Sequence, residues 1–295
     1  MPVRSIDPAD ISTADLHQYL VGAVAPRPIA FASTRSKDGQ DNLAPYSFFN
    51  VFSSRPPILV FSSNRRVRGN TTKDTLANVI ETGEVVINVV SHRFVHQMAI
   101  ASIEYPPEVS EFAKSGLTPL PSDRVAPFRV SESPVQFECK VLQILPLGEE
   151  GGAGNLIICE VLRMHLDTDI LDDRGRIDPH KIDLMGRMGM AYYCRASGSG
   201  VFPIVQPQDR IGMGVDQLPE HIRLSHVLSG NDLARLASLP AIPVSDGQKT
   251  IDAAAMDALA GNTQEREAHL HRYAKQLIEA GEVVRAWEVL MWEEG

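Results

Sequence analysis

Cysteine is scarce in this chain, with three in 295 residues at Cys139, Cys159 and Cys194. They are odd in number and lack C-x-x-C spacing, which fits a reducing compartment better than a disulfide framework. No apolar run approaches the roughly 18 residues of a membrane span, so none is expected. Positive charge is in deficit: the formal net charge is −9, which repels a nucleic-acid polyphosphate on average. Met1 to Asp10 carries acids and prolines with no apolar stretch, so no secretory leader is expected and a cytoplasmic location follows. Familiar catalytic signatures are missing too. There is no G-x-x-x-x-G-K-[ST] loop, no strand leading into G-x-G-x-x-G, and no G-x-S-x-G around Ser33, Ser47 or Ser62. His92 and His96 have a zinc-compatible spacing, but Arg93 stands where H-E-x-x-H needs its glutamate. Asp167, Asp169, Asp172 and Asp173 resemble a calcium loop only until Leu171, which offers no oxygen. Asp172 to Gly175 reads instead as a hairpin turn, and no metal is expected.

What is present is strand signal. Hydrophobic residues at 43% and charged residues at 22% are ordinary for a globular chain, and the length can bury a large core. Arg27 to Thr34 reads as a strand, followed by a turn at Asp38-Gly39. Asn42 to Phe52 reads as one extended segment, and Ile58–Ser62 and Glu84–Val90 as buried strands. Val135 to Val141 alternates, predicting a strand with Gln136, Glu138 and Lys140 on a wet face. It should pair with Leu156–Leu166 across the turn at Gly151–Gly154. Short helices are predicted over Lys73–Thr82, stopped by Gly83, and from a Ser91 cap to about Ser102. Many strands with few helices point to a barrel rather than a doubly wound sheet.

After about Val205 the composition turns helical, which divides the chain into residues 1–204 and 205–295. Leu228 to Leu233 suggests a helix start. Asn262 with Glu265 suggests another, for a helix to Ala280. Its stripe of Leu270, Tyr273, Ala274, Leu277 and Ile278 is expected to find cover on the barrel or on a partner subunit. A last helix is expected over Val283–Trp292, beyond an interruption at Gly281.

One cluster between residues 25 and 82 offers chemistry. Ser62, Ser63, Arg65, Arg66, Lys73 and Thr75 supply hydroxyl and cationic donors of the kind a phosphate needs. The helix start near Lys73 adds N–H groups and partial positive charge. The Asn42–Asn50 strand can lay polar backbone along one edge of a flat ring, with Pro45 and Phe48 or Phe49 over it. Taken by residue type alone, a polar loop and a solvated helix start explain these stretches equally well.

The order of the stretches says more. Pro-Arg-Pro-Ile-Ala-Phe, then Asn-Leu-Ala-Pro-Tyr-Ser-Phe-Phe-Asn, then Pro-Pro and a strand follow one another. Lys-Asp-Thr-x-x-Asn and Thr-Gly-Glu-Val-Val-Ile-Asn come next. The series resembles the flavin reductase-like family and, more narrowly, its flavoredoxin-type branch. The likeness covers roughly residues 15 to 200. Arg187 to Tyr192 is similar to the family's Arg-x-Gly-Gly-x-Tyr segment, with Met190 in place of the second glycine.

The resemblance implies a mainly β fold, a six-stranded FMN-binding split barrel with short peripheral helices, and a homodimer in which Arg187 to Tyr192 is expected to reach the FMN groove from the partner. With the phosphate donors above, it gives these FMN-binding candidates: Arg27, Asn42, Ala44, Pro45, Tyr46, Ser47, Asn50, Ser62, Ser63, Asn64, Arg65, Lys73, Asp74, Thr75, Arg187 and Tyr192. No catalytic acid or base is named. The activity implied is electron transfer from NADH, NADPH or a redox protein, through FMN, to free flavin or another acceptor, with an oxygenase as a further partner. The alternatives are a flavin-binding electron carrier or sensor without NAD(P)H activity, and an interaction protein whose barrel lacks a cofactor.

Overall fold

The computed structural model describes residues 2–204, 211–243 and 263–292. The chain divides into two compact units, Met1–Phe202 and Pro203–Gly295. Among the described residues no helix is long and apolar enough to cross a membrane.

The first unit is built on a seven-stranded antiparallel sheet. Its strands are β1 (Ala30–Arg35), β2 (Asp41–Tyr46), β3 (Phe49–Ser54), β4 (Pro57–Ser62), β5 (Glu84–Val89), β8 (Val135–Pro146) and β9 (Asn155–Leu166). The short pairs β6 (Pro119–Leu120) with β7 (Arg129–Val130), and β10 (Met185–Arg187) with β11 (Tyr193–Arg195), stand apart from it. The order is β2-β1-β5-β8-β9-β4-β3, so β2 and β3 are the two edges. Only Ser47 and Phe48 separate them in sequence. A chain reaches at most about 3.6 Å per residue, so a flat sheet cannot place these edges at opposite ends. The sheet must roll until its edges meet, without pairing to each other, and this is the split barrel. The extended segment predicted over Asn42–Phe52 is therefore two strands, which brings the count to seven rather than six.

The roll gives β1 two buried faces. Ala30 and Ala32 point into the barrel with Phe61, Val85, Ile87 and Ile157. Phe31 points outward into a second core with Leu43, Phe94, Met98 and Phe112. Helix α2 (Asp74–Thr82) sends Leu76 and Val79 to the barrel core and ends on Gly83, whose φ of 70° suits glycine. The predicted second helix is a single 3-10 turn at His92–Phe94 running into α3 (Val95–Ile100), and the Ser91 hydroxyl makes no cap bond. The Asp172–Gly175 turn forms as read, with Asp172 accepting from the Arg174 and Arg176 N–H groups.

The wet face predicted for β8 is a correction. Glu138 is fully buried and Gln136 nearly so, while Lys140 alone is exposed. The segment from Leu120 to Ser133 folds over this face. Gln136 Nε2 donates to the Val130 and Ser133 carbonyls. Glu138 accepts from the Asp123 and Arg124 N–H groups and lies 2.6 Å from His165 Nε2. Burial would raise the Glu138 carboxyl, but these partners outweigh it and hold the group below the usual carboxylate range.

In the second unit Ser229 caps the helix Gly230–Ala237 and shares a reciprocal capping box with Asp232. The stripe on Thr263–Glu279 is covered within this unit: Ala274, Leu277 and Ile278 pack with Ile222, Leu236 and Trp287. The expected cover on the barrel or a partner is thus not what buries it. Gly281, at φ 85°, breaks the chain before the helix Val283–Leu290. The Asn262 cap and the boundary at Val205 lie outside the described residues.

Replacing Glu138 with Ala should lower stability by about 2–4 kcal/mol, because buried N–H donors lose a charged acceptor. Because the folded-state carboxyl is depressed, its contribution in the wild type is present above the unfolded value and is lost as pH falls through the folded one. Denaturant unfolding of both proteins between neutral and acid pH checks this; a shared pH slope would count against it.

Candidate functional site

The seam between β2 and β3 opens into a cavity of about 360 Å³. Three segments wall it. Helix α1 (Thr13–Ala23) contributes His17, Gln18 and Val21; the seam contributes Pro45, Tyr46, Ser47 and Phe48; the turn after β10 contributes Arg187, Met188 and Met190. Ser62, Asn64 and Lys73 complete it. Among the described residues no carboxylate lines this cavity, whereas Arg27, Lys73 and Arg187 do. Within a chain of net charge −9, the lining of this concavity is therefore cationic.

A second, smaller cavity of about 80 Å³ shares Pro45, Tyr46 and Lys73 with the first and adds Asn42, Ala44, Arg66, Asp74 and Thr75. Of the sequence-predicted residues, Arg27, Pro45, Tyr46, Ser47, Ser62, Asn64, Lys73 and Arg187 meet in the first cavity. Asn42, Ala44, Asp74 and Thr75 meet in the second.

Four candidates lie outside both. Arg65 turns its guanidinium onto Asn70, with bonds of 2.6 Å to Oδ1 and 2.7 Å to the carbonyl, and so ties a loop. Asn50, past the seam on β3, lines a separate, mostly apolar hollow. The Tyr192 ring is 69% exposed. Ser63 is fully buried beside Tyr46.

Arg27, besides bordering the cavity, has a structural task. Its Nη1 donates to the Val21 and Val24 carbonyls at 2.5 and 2.6 Å, and its Nη2 to the Met188 carbonyl at 3.0 Å. Its backbone pairs with that of Arg187. One buried guanidinium thus clamps α1 to the turn after β10. Burial first, and the charge of Arg187 second, press its pKa below the ordinary arginine value. At the same junction a Cβ on Gly189 would come within 3.1 Å of Gly22 Cα, so glycine allows the turn to approach the helix.

Lys73 stands immediately before α2, and its ammonium makes no hydrogen bond or ion pair among the described residues. Its Nζ lies 5.0 Å from the centre of the Tyr46 ring. Burial first, then the neighbouring Arg66, lower its pKa. The Tyr46 hydroxyl is buried beside Thr75 and Ser63 without closing a hydrogen bond to either, and the Ser63 hydroxyl is likewise unpartnered. Burial pushes the phenol up to about 12, so it stays a donor. Buried hydroxyls without partners are costly. Of the two, Tyr46 borders both cavities together with the Lys73 ammonium, a pairing that fits an oxygen-rich anionic group such as the phosphate of a flavin nucleotide. The Phe48 ring, facing His17 at 6.1 Å, offers an apolar wall to a flat ring.

The residues missed in the sequence are those of α1. Ser12 accepts from the Asp15 N–H and caps this helix, a Ser-x-x-Asp signal that was available.

The family model for a flavin reductase like domain matches residues 22–193. An uncharacterised protein of Aquifex aeolicus is 42% identical over 183 residues, covering 62% of this chain and 91% of its own. The structure of nitrilotriacetate monooxygenase component B from Bacillus cereus is 31% identical with a TM-score of 0.64, covering 69% of this chain and 100% of that one. That of 2-nitrobenzoate 2-nitroreductase from Pseudomonas fluorescens is 25% identical with a TM-score of 0.63, covering 72% and 100%. Flavoredoxins share the fold at lower identity.

Replacing Arg27 with Lys should cost about 2–4 kcal/mol, since a single ammonium cannot serve three carbonyls that a fork reaches. It should also loosen binding of any ligand of the cavity regardless of that ligand's charge. Unfolding midpoints and ligand titrations of the variant would test both parts. An unchanged midpoint removes the clamp.

Proposed function

This chain belongs to the flavin reductase like family, and from that premise we propose that it is an FMN-dependent oxidoreductase. It would take electrons from NADH, NADPH or a redox protein and deliver them to free flavin or another acceptor. The observation that carries the reading is the acid-free cavity at the barrel seam, lined by the unpaired Lys73 ammonium and by Tyr46, whose buried hydroxyl makes no hydrogen bond.

Bound flavin supplies the hydride chemistry; the protein supplies placement and electrostatics. Lys73, Ser62 and Thr75 would hold the phosphate, with the N–H groups that open α2 adding partial positive charge. This favours FMN, whose phosphate is terminal. Phe48 would cover the ring, and the Arg27 clamp would keep α1 and the Arg187–Met190 turn in place around it. The cavity's remaining opening admits the nicotinamide without a separate dinucleotide fold.

Leu142, Leu145, Leu162 and Met164 leave apolar surface on β8 and β9, which supports a homodimer. The likeness to a monooxygenase component B supports an oxygenase as consumer of reduced flavin. Free thiols at Cys139, Cys159 and Cys194 support a cytoplasmic location.

The first test is the spectrum of the purified protein, followed by rapid mixing with NADH and with NADPH. Bleaching of the visible flavin band supports the reductase. A flavin that neither nucleotide reduces assigns the chain to electron carriage instead.

Lys73→Ala should weaken FMN binding at least about ten-fold, the loss of a charge-assisted hydrogen bond of roughly 1.5–3 kcal/mol, and leave riboflavin binding unchanged. Because burial and Arg66 lower the Lys73 pKa, the phosphate-dependent part of the affinity should fall with rising pH earlier than for an ordinary lysine. It should be lost as pH rises through that lowered value, and the variant should lack this decline. Parallel titrations of both flavins across pH read this. Equal losses for FMN and riboflavin would move the phosphate elsewhere.

A further inference from the structure

In the smaller cavity two cations lie side by side. Arg66 and Lys73 both line it, and the charge of Arg66 helps to lower the Lys73 pKa. Three carboxylates also line it, Asp74, Glu104 and Glu111. Glu111 accepts from the Leu43 N–H, and Glu104, from the segment between α3 and the helix Glu111–Ser115, is the one paired with Arg66, its Oε1 2.7 Å from Arg66 Nε. The hydrogen bond from Arg66 comes first among the causes that hold the Glu104 carboxyl below its usual range, and the charge of Lys73 adds to it. Glu104 is not needed to place Arg66. The guanidinium is already fixed by Nη1 bonds to the Thr71 hydroxyl and the Thr72 carbonyl, at 3.1 and 2.6 Å. The Glu104 side chain is 65% exposed, so it can leave without opening a core. The buried, unpartnered Tyr46 hydroxyl borders the same space.

We propose that Glu104 is an internal competitor for phosphate. Its carboxylate sits on Arg66, within the field of Lys73, when flavin is absent, and a phosphate ester entering the site displaces it. Glu104 would then set how tightly, and how reversibly, the chain holds a phosphorylated flavin. This inference rests on the FMN reading above. Its physical content is a charge exchange: one carboxylate gives way to a group with more charge and three acceptor oxygens. An exposed pair of this kind is worth up to about a factor of five in an equilibrium constant. Leaving the carboxylate beside an incoming phosphate adds repulsion, which salt screens.

The test is Glu104→Gln. FMN, riboflavin and inorganic phosphate are each titrated into the flavin-free full-length variant and wild type, at low and high salt, by flavin fluorescence and by calorimetry. The variant should bind FMN about three- to ten-fold tighter. The difference should narrow at high salt, and riboflavin binding should be equal in the two proteins. Equal FMN affinity makes the pair a surface contact, and weaker FMN affinity makes Glu104 a support for Arg66; either overturns the proposal. If neither flavin binds the wild type, the FMN reading fails by itself. Inorganic phosphate then decides: tighter binding by the variant sustains the competitor, and equal or weaker binding ends it.

Discussion

The site depends on how little chain crosses the seam. Ser47 and Phe48 join strands that occupy opposite edges of a seven-stranded sheet, so the sheet can exist only rolled. The roll has two consequences. It gives β1 a core on each face, which is why five consecutive residues, Ala30 to Thr34, are buried. It also leaves a gap where the edges approach without pairing, and Pro45, Tyr46, Ser47 and Phe48 line the cavity at that gap. Pro45 suits an edge strand because it has no N–H to offer a neighbour. The cavity is thus the place where closure is incomplete rather than a hollow cut into a finished barrel.

Charge at the seam is sorted by burial. Arg27 and Arg187 both border the cavity, yet they differ in availability. Arg27 spends its donors on carbonyls of α1 and of the turn after β10. Arg187 lies 4.6 Å from the centre of the Tyr193 ring and gives one bond to the Met190 carbonyl. Among the described residues the Lys73 ammonium has only the Tyr46 ring. A buried, fully engaged guanidinium is a structural part and a poor ligand; an ammonium against an aromatic face is the reverse. This separation is what lets one small space be both rigid and attractive to anions.

The strands and the family were legible because they depend on local order: alternation, prolines before strands, and the sequence of stretches from Pro26 to Asn88. Tertiary context hid the rest. Gln136 and Glu138 alternate like surface residues, but the segment folding over them supplies partners from Asp123, Arg124 and Val130, far enough in sequence to be invisible. Arg65 and Lys73 are alike as cations. What distinguishes them is Asn70, whose amide and carbonyl oxygens capture Arg65. Asn50 belongs to the right motif but lies beyond the seam, on a strand that sends it to another hollow. The tail's apolar stripe was legible as a stripe. Its cover was not, because Trp287 and Leu236 complete the core from either side of it in sequence.

Met190 shows how a departure from a family pattern can leave a site intact. Its φ is 54°, in the left-handed region where glycine is at ease and methionine costs roughly 1–2 kcal/mol. That is a physical reason for glycine at this place in the resembling motif. The turn around it is nonetheless over-determined. Met188 N–H donates to the Tyr192 carbonyl at 3.0 Å, Tyr192 N–H to the Gly189 carbonyl at 3.2 Å, and Arg187 to the Met190 carbonyl at 2.6 Å. Arg27 holds the Met188 carbonyl from below. With the backbone fixed from several sides, the strain is borne without a change of path. What the substitution alters is the lining. A flexible, largely exposed thioether borders the cavity where glycine would leave open space. The cost of that residue is local, while its side chain faces whatever enters, so methionine here leaves the clamp beneath it undisturbed.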